Sequence, residues 1–179
     1  MTRICAQVFT LLLVLHVCAA HAISLLEQQE LVGARLAGQG SYRWFGMKIY
    51  DAFLWLESGT GSKVDLLNSK YILELVYARD LSGMRIASAS IDEMRKLNKG
   101  TPSQQLAWLQ LMQEIFPDVR EGSRLSGVYL PGQGVRFYHD GKLLKEVLDV
   151  EFARAFFSIW LDEHTSAQGL RNQLLGLPS

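Results

Sequence analysis

Residues Met47–Leu56 read as a strand that is apolar on both of its faces. Met47, Ile49, Phe53 and Trp55 fall on one parity, and Tyr50, Ala52, Leu54 and Leu56 on the other. Successive side chains of a strand point to opposite sides of its sheet, so this segment has to be covered from both sides. A sheet with one face in water does not satisfy it; a layered domain does.

The remaining pattern supplies the layers. Residues 71–79 read as a second strand, residues 58–62 as a Gly-rich turn, and Asp140-Gly141 as the turn of a hairpin between residues 135–138 and 142–146. Thr101-Pro102-Ser103-Gln104 combines an N-cap threonine, proline at the first helical position and glutamine at the third, which predicts a helix to Phe116. Its expected core stripe is Leu106, Leu109, Met112 and Phe116. A helix over residues 82–97 is expected to bury Met84, Ala87, Ile91 and Met94. Asp149 caps a third helix whose Val150, Phe152, Ala153, Phe156, Phe157, Ile159 and Trp160 leave little polar surface, so Trp160 is expected in the core. Thr165 or Ser166 caps a last short helix that stops at Gly176. Strands, helices, strands and helices in that order predict an α+β fold, an antiparallel sheet with a layer of helices on one face.

The N-terminus reads as a targeting segment. Arg3 is the only formal charge before Glu27, residues 8–17 are a run of about 10 mostly apolar residues, and Ala20-His21-Ala22 places small residues where a signal peptidase reads. The run is half of the roughly 20 residues that cross a bilayer, so no transmembrane anchor is expected. Val17 before Cys18 is a poor lipoprotein signal. The expected division is residues 1–22 as signal peptide and 23–179 as one domain, periplasmic or secreted. Cleavage after Ala22 removes Cys5 and Cys18, the chain's two cysteines, which excludes disulfides and thiolate chemistry from the mature domain. With 18 basic against 18 acidic residues there is no electrostatic footprint for nucleic acid.

Two stretches carry a family resemblance. One runs from Gly38-Gln39-Gly40-Ser41-Tyr42-Arg43-Trp44-Phe45-Gly46 to Met47-Lys48-Ile49-Tyr50-Asp51-Ala52; the other from Phe156-Phe157-Ser158-Ile159-Trp160 to Leu174-Leu175-Gly176. They resemble the Gly-rich turn with its ligand-facing strand, and the C-terminal helix pair, of the chalcone isomerase-like family. The resemblance covers roughly residues 31–176 and implies that family's fold and a ligand cleft. The active plant isomerases close a flavanone ring with an Arg and a Thr on early strands and a Tyr and an Asn on the helix after the central strand. Aligned here, Tyr50 stands at the Thr position, as in the family's fatty-acid-binding branch, and the Tyr and Asn positions fall on Ile86 and Glu93. Ile86 donates no hydrogen bond and Glu93 adds negative charge beside an anionic substrate. The resemblance therefore implies no catalytic residue and leans away from an enzyme.

What it implies instead is an exported, non-catalytic protein that binds a small apolar ligand, a fatty acid or similar carboxylate, with no cofactor. Tyr50 and an arginine, Arg43 first and Arg35 in reserve, are the candidate ligand-binding residues. Read without the resemblance, the same residues fit equally well a core aromatic and a solvated strand-end cation. The alternatives are a protein-interaction or structural module whose cleft has filled with side chains, and an intramolecular lyase of chalcone type. The pairs Gly38/Gly40, Gly59/Gly61 and Gly132/Gly134 lack the third glycine of a dinucleotide turn, and Asp162-Glu163-His164 with His139 reads as a solvated helix end rather than a metal site.

Overall fold

The computed structural model describes residues 25–59 and 65–178. The expected leader with its cleavage position, both cysteines, and most of the turn at residues 58–62 lie outside the described residues. The elements in chain order are α1 (Leu25–Glu30), β1 (Arg35–Trp44), β2 (Met47–Leu56), β3 (Tyr71–Tyr77), α2 (Gly83–Lys96), α3 (Pro102–Ile115), β4 (Arg124–Leu130), β5 (Gly134–His139), β6 (Lys142–Val147), α4 (Val150–Leu161) and α5 (Gln168–Leu175). The six strands form one sheet in chain order, each antiparallel to the next. The fold is α+β. Among the described residues no helix is long and apolar enough to cross a membrane.

The two apolar faces of β2 are buried in different cores. Ala52, Leu54 and Leu56 join the larger one under α2, α3, α4 and α5, whereas Phe53 and Trp55 pack with Ile72, Val128 and Leu130 beneath Leu26 and Leu31. So four helices lie on one face, as expected, and the short α1, which the sequence pattern did not announce, closes the other. One polar cluster ties α1 down. Lys70 donates to Glu30 at 2.8 Å, Arg136 approaches the same carboxylate at 3.2 Å, and Tyr138 donates to it through its hydroxyl. Burial pushes the Glu30 carboxyl upward, but the hydrogen bonds from Lys70 and Tyr138 and the charges of Lys70 and Arg136 outweigh it, and the net shift is downward. Burial and Glu30 push the Tyr138 phenol up to about 12, so it remains a donor at neutral pH.

A carboxyl lowered in the folded state stabilises the fold above its unfolded value, and that contribution is lost as pH falls through the folded value. Glu30→Gln is therefore expected to cost about 1 kcal/mol at about pH 7, a figure already discounted for the solvent that reaches Lys70 and Arg136. The difference from wild type should shrink toward zero as pH is lowered toward about 3. Urea titrations of both proteins across that range measure it; a pH-independent difference would mean that Glu30 acts through packing alone.

Local signals place most helices, with three corrections. The capping box at Thr101 and Gln104 is present and α3 follows it. Of its expected stripe Met112 and Phe116 are buried and Leu109 packs against the core, but Leu106 is 56% exposed, and Trp108 and Ile115 complete the buried face. The indole Nε1 of Trp108 donates to Asp149 at 3.2 Å, which turns the helix toward the N-terminus of α4. On α2, Ala87, Ile91 and Met94 are buried as expected, but Met84, in the first turn, is 54% exposed. At α5 neither Thr165 nor Ser166 is the cap: Ala167 holds that position without a side-chain bond. Thr165 donates instead to Ile159 O at 2.5 Å, and Ser166 donates to Glu93 at 2.6 Å.

Gly38 and Gly40 lie inside β1 rather than in a turn. A Cβ at Gly38 would stand 2.1 Å from the carbonyl oxygen of Gln173, so the glycine exists to let α5 rest on the strand.

Candidate functional site

Three tyrosines stand in one row across the sheet, because Tyr42 pairs with Tyr50 and Tyr50 with Tyr77. The rings of Tyr42 and Tyr50 stack at 5.2 Å, and Tyr77 meets Tyr50 edge-on at 5.8 Å. From the helix layer, the indole of Trp160 on α4 donates to the Tyr50 hydroxyl at 3.0 Å. Burial raises the Tyr50 phenol far above its ordinary range, against the opposing bond from Trp160, and burial raises Tyr77 likewise. Both are neutral phenols at any physiological pH. Because Tyr50 accepts from Trp160, its own proton is available to a further acceptor.

That acceptor would sit in a cavity of about 640 Å³ between the sheet and helices α2 and α4. Its inner wall is apolar: Leu73 and Leu75 from β3, Leu125 from β4, Phe137 from β5, Phe156 from α4, and Phe116 at the end of α3, all buried. Its rim is charged. Arg79 beyond the end of β3, with Arg85, Asp92, Glu93 and Lys96 on α2, border the opening. Glu93 is already engaged, by Lys96 at 2.6 Å on one oxygen and Ser166 at 2.6 Å on the other. Its hydrogen bond holds the Lys96 ammonium above its ordinary value. Among the described residues no salt bridge engages Arg79 or Arg85; the Arg79 guanidinium rests on the Met47 sulfur at 3.4 Å.

Of the residues singled out from sequence, the structure brings Tyr50, Ile86 and Glu93 to the cavity wall. It does not bring the two arginines there. Arg43 is exposed and donates to Gly46 O at 3.1 Å across the β1–β2 turn. Arg35 pairs with Leu56, six residues from Tyr50 along β2 and so roughly 20 Å away. The cations that do border the opening carry a legible signal. Leu73, Leu75, Tyr77 and Arg79 share one strand parity, and Arg85, Ala89, Asp92 and Lys96 recur at the three- and four-residue spacing of one helix face, alongside the core stripe of Ala87, Ile91 and Met94.

A family model described as chalcone isomerase-like matches residues 19–176. The chain belongs to the chalcone isomerase-like family. A relative from Haemophilus influenzae, itself an uncharacterized protein, is 30% identical over 141 residues, which span 78% of this chain and 66% of that one, just under two thirds of its length. Among solved structures, the crystal structure of a fatty-acid binding protein from Arabidopsis thaliana superposes with a TM-score of 0.64 at 16% identity, over 82% of this chain and 89% of that chain. That likeness establishes the chalcone isomerase-like fold and nothing finer. Within the family fold, the cleft of this member is open and not filled by side chains. Its wall offers the buried phenols of Tyr50 and Tyr77 and the indole of Trp160, with cations at the rim. Ile86 and Glu93, the residues that the resemblance was expected to set at the helix-donor positions of the plant isomerases, both line the cavity.

Proposed function

We propose that this chain is an exported, non-catalytic member of the chalcone isomerase-like family that binds an apolar carboxylate of fatty-acid type. The observation that carries the reading is the apolar cavity of about 640 Å³ with the Tyr50 hydroxyl in its wall. The volume falls in the range of ordinary small-molecule sites, roughly 300–1,000 Å³. Buried aromatic and leucine side chains favour a hydrocarbon tail, while a neutral phenol donor and the rim cations Arg79 and Arg85 favour an anionic head. The fatty-acid binding protein with the same fold supports the ligand class. An interaction module with a filled cleft is disfavoured because the cleft is open. Chalcone cyclisation is disfavoured because neither Ile86 nor Glu93 supplies the hydrogen-bond donor that would polarise the enone carbonyl.

Calorimetric titration with a medium- or long-chain fatty acid tests this. Wild type should bind, and no chalcone cyclisation should exceed background. Tyr50→Phe and Arg79→Ala should each weaken binding by roughly 1–3 kcal/mol, the scale of a hydrogen bond to a charged group, without loss of folding. Arg43→Ala should leave binding near the wild-type value. A folded wild type that takes up no fatty acid would sink the reading. Export is tested separately by intact mass: the secreted form should begin at Ile23.

A further inference from the structure

The tip of the β1–β2 hairpin is apolar, exposed and conformationally costly. Phe45 is 86% exposed, Trp44 54% and Met47 48%. Phe45 and Gly46 form the two-residue turn with φ of 47° and 79°, both left-handed, a turn whose first position favours asparagine. A bulky side chain in that conformation is strained, and this one is held in water. Trp44 packs edge-on against Phe45 at 5.0 Å, so the two rings form one knob. The knob adjoins the cavity, since Trp44 and Ile49 on the same hairpin both line it.

We infer that this hairpin tip is a membrane-docking element that inserts Trp44, Phe45 and Met47 into the interface of a lipid bilayer. Three observations select lipid over a protein partner. At about 150–250 Å² for a large side chain, the exposed parts of the three residues come to roughly 400 Å², about half of the ~800 Å² that each partner contributes to a stable protein interface. Tryptophan settles at the headgroup level of a bilayer, and phenylalanine belongs to the apolar faces that bury at the headgroup–acyl boundary. Finally, the charges beside the knob are mainly cationic. Arg43 bonds the turn itself, Lys48 is held by Asp51 at 2.8 Å, and Arg79 lies on Met47, a net positive collar suited to lipid phosphates. Exposed Asp80 follows Arg79 in the chain but accepts a hydrogen bond from the backbone N–H of Glu121, at 3.2 Å. Docking in this orientation would place the cavity opening against the bilayer, where an apolar carboxylate can pass without crossing water. The docking stands independently of the fatty-acid reading; only the transfer route rests on it.

Trp44 reports the event, because Trp55, Trp108 and Trp160 are buried. Vesicles of three parts phosphatidylethanolamine to one part phosphatidylglycerol should shift the tryptophan emission of wild type to the blue and sediment the protein with them. Phe45→Asn keeps the reporter and suits the turn better, so it should fold at least as stably while losing vesicle affinity by at least about tenfold. Unchanged emission of wild type with vesicles, or undiminished affinity in Phe45→Asn, overturns the proposal. A blue shift that grows with protein concentration without lipid also overturns it, in favour of a second copy of this chain. Fatty-acid titration of Phe45→Asn in vesicle-free solution separates the two readings: retained uptake with lost vesicle binding supports docking at a distinct surface, and failed uptake by wild type would count against the cavity reading alone.

Discussion

Phe157→Ala is expected to destabilise the fold by about 3–5 kcal/mol, a scale set by truncating a large aromatic in a packed core. Phe157 is 2% exposed and lies edge-on to Tyr71 at 5.0 Å and Tyr129 at 5.6 Å, with Phe156 beside it at 5.5 Å. The space left by its ring cannot easily close. Tyr71 and Tyr129 stack at 4.9 Å and are locked by their cross-strand pairing, and the strand beneath carries Gly127, where even a Cβ would come within 3.0 Å of the Phe157 ring. Denaturant titration reads the loss directly. A value below about 1 kcal/mol would mean that the sheet and α4 relax together, contrary to the rigid packing argued above. Phe157 does not line the cavity, so a folded Phe157→Ala protein should keep the wild-type ligand affinity.

Gly38→Val should be comparably damaging, at roughly 3 kcal/mol or more, through overpacking rather than loss. The added Cβ would stand 2.1 Å from Gln173 O and 2.5 Å from Leu174 O, both backbone atoms of α5 that no side-chain rotation can clear. Either α5 lifts from β1 or the strand distorts. Since 1 kcal/mol shifts the melting temperature of a domain this size by about 2–4 °C, a fall of roughly 6–12 °C is expected. Faster amide exchange across α5 should accompany it. Gly169→Ala is the control. Its Cβ meets nothing within 4 Å, and alanine favours the helix, so that variant should be neutral or stabilised by at most about 1 kcal/mol. Equal losses in the two variants would show that α5 is sensitive to any substitution nearby.

The residues divide clearly by how far their signal travels. The N-cap at Thr101 with its glutamine box, the Asp149 cap of α4, the Asp140-Gly141 turn and the two-faced β2 were all readable from neighbours in the chain. So was the placement of Tyr50, Ile86 and Glu93 on one cleft, which followed from the family resemblance. The face of α3 was legible only in part. Leu109, Met112 and Phe116 meet the core as their spacing required, but Leu106 fits a helical stripe as well as Trp108 does, and the bond from Trp108 to Asp149, 41 residues away, and its contact with Phe152 favour the latter. The arginines failed for a related reason. Arg43 stood out from sequence by its place in the Gly-x-Gly-x-x-Arg stretch, yet it is exposed and bonded to Gly46 O across the hairpin turn, while Arg79 is brought beside Met47 by pairing of β2 with β3.

What the sequence determined by itself was therefore the helices α2 to α5, the strands β2 and β3, the β5–β6 hairpin, the α+β class and the requirement that β2 be covered twice, because periodicity, caps and turns act between residues a few positions apart. The tertiary structure alone decided that α1 covers the second face, that α5 lies close enough to β1 to require Gly38, and that a cavity remains beside Tyr50. Each of those depends on the distance between elements far apart in the chain, which the summed volumes and directions of many side chains set together and no local pattern encodes.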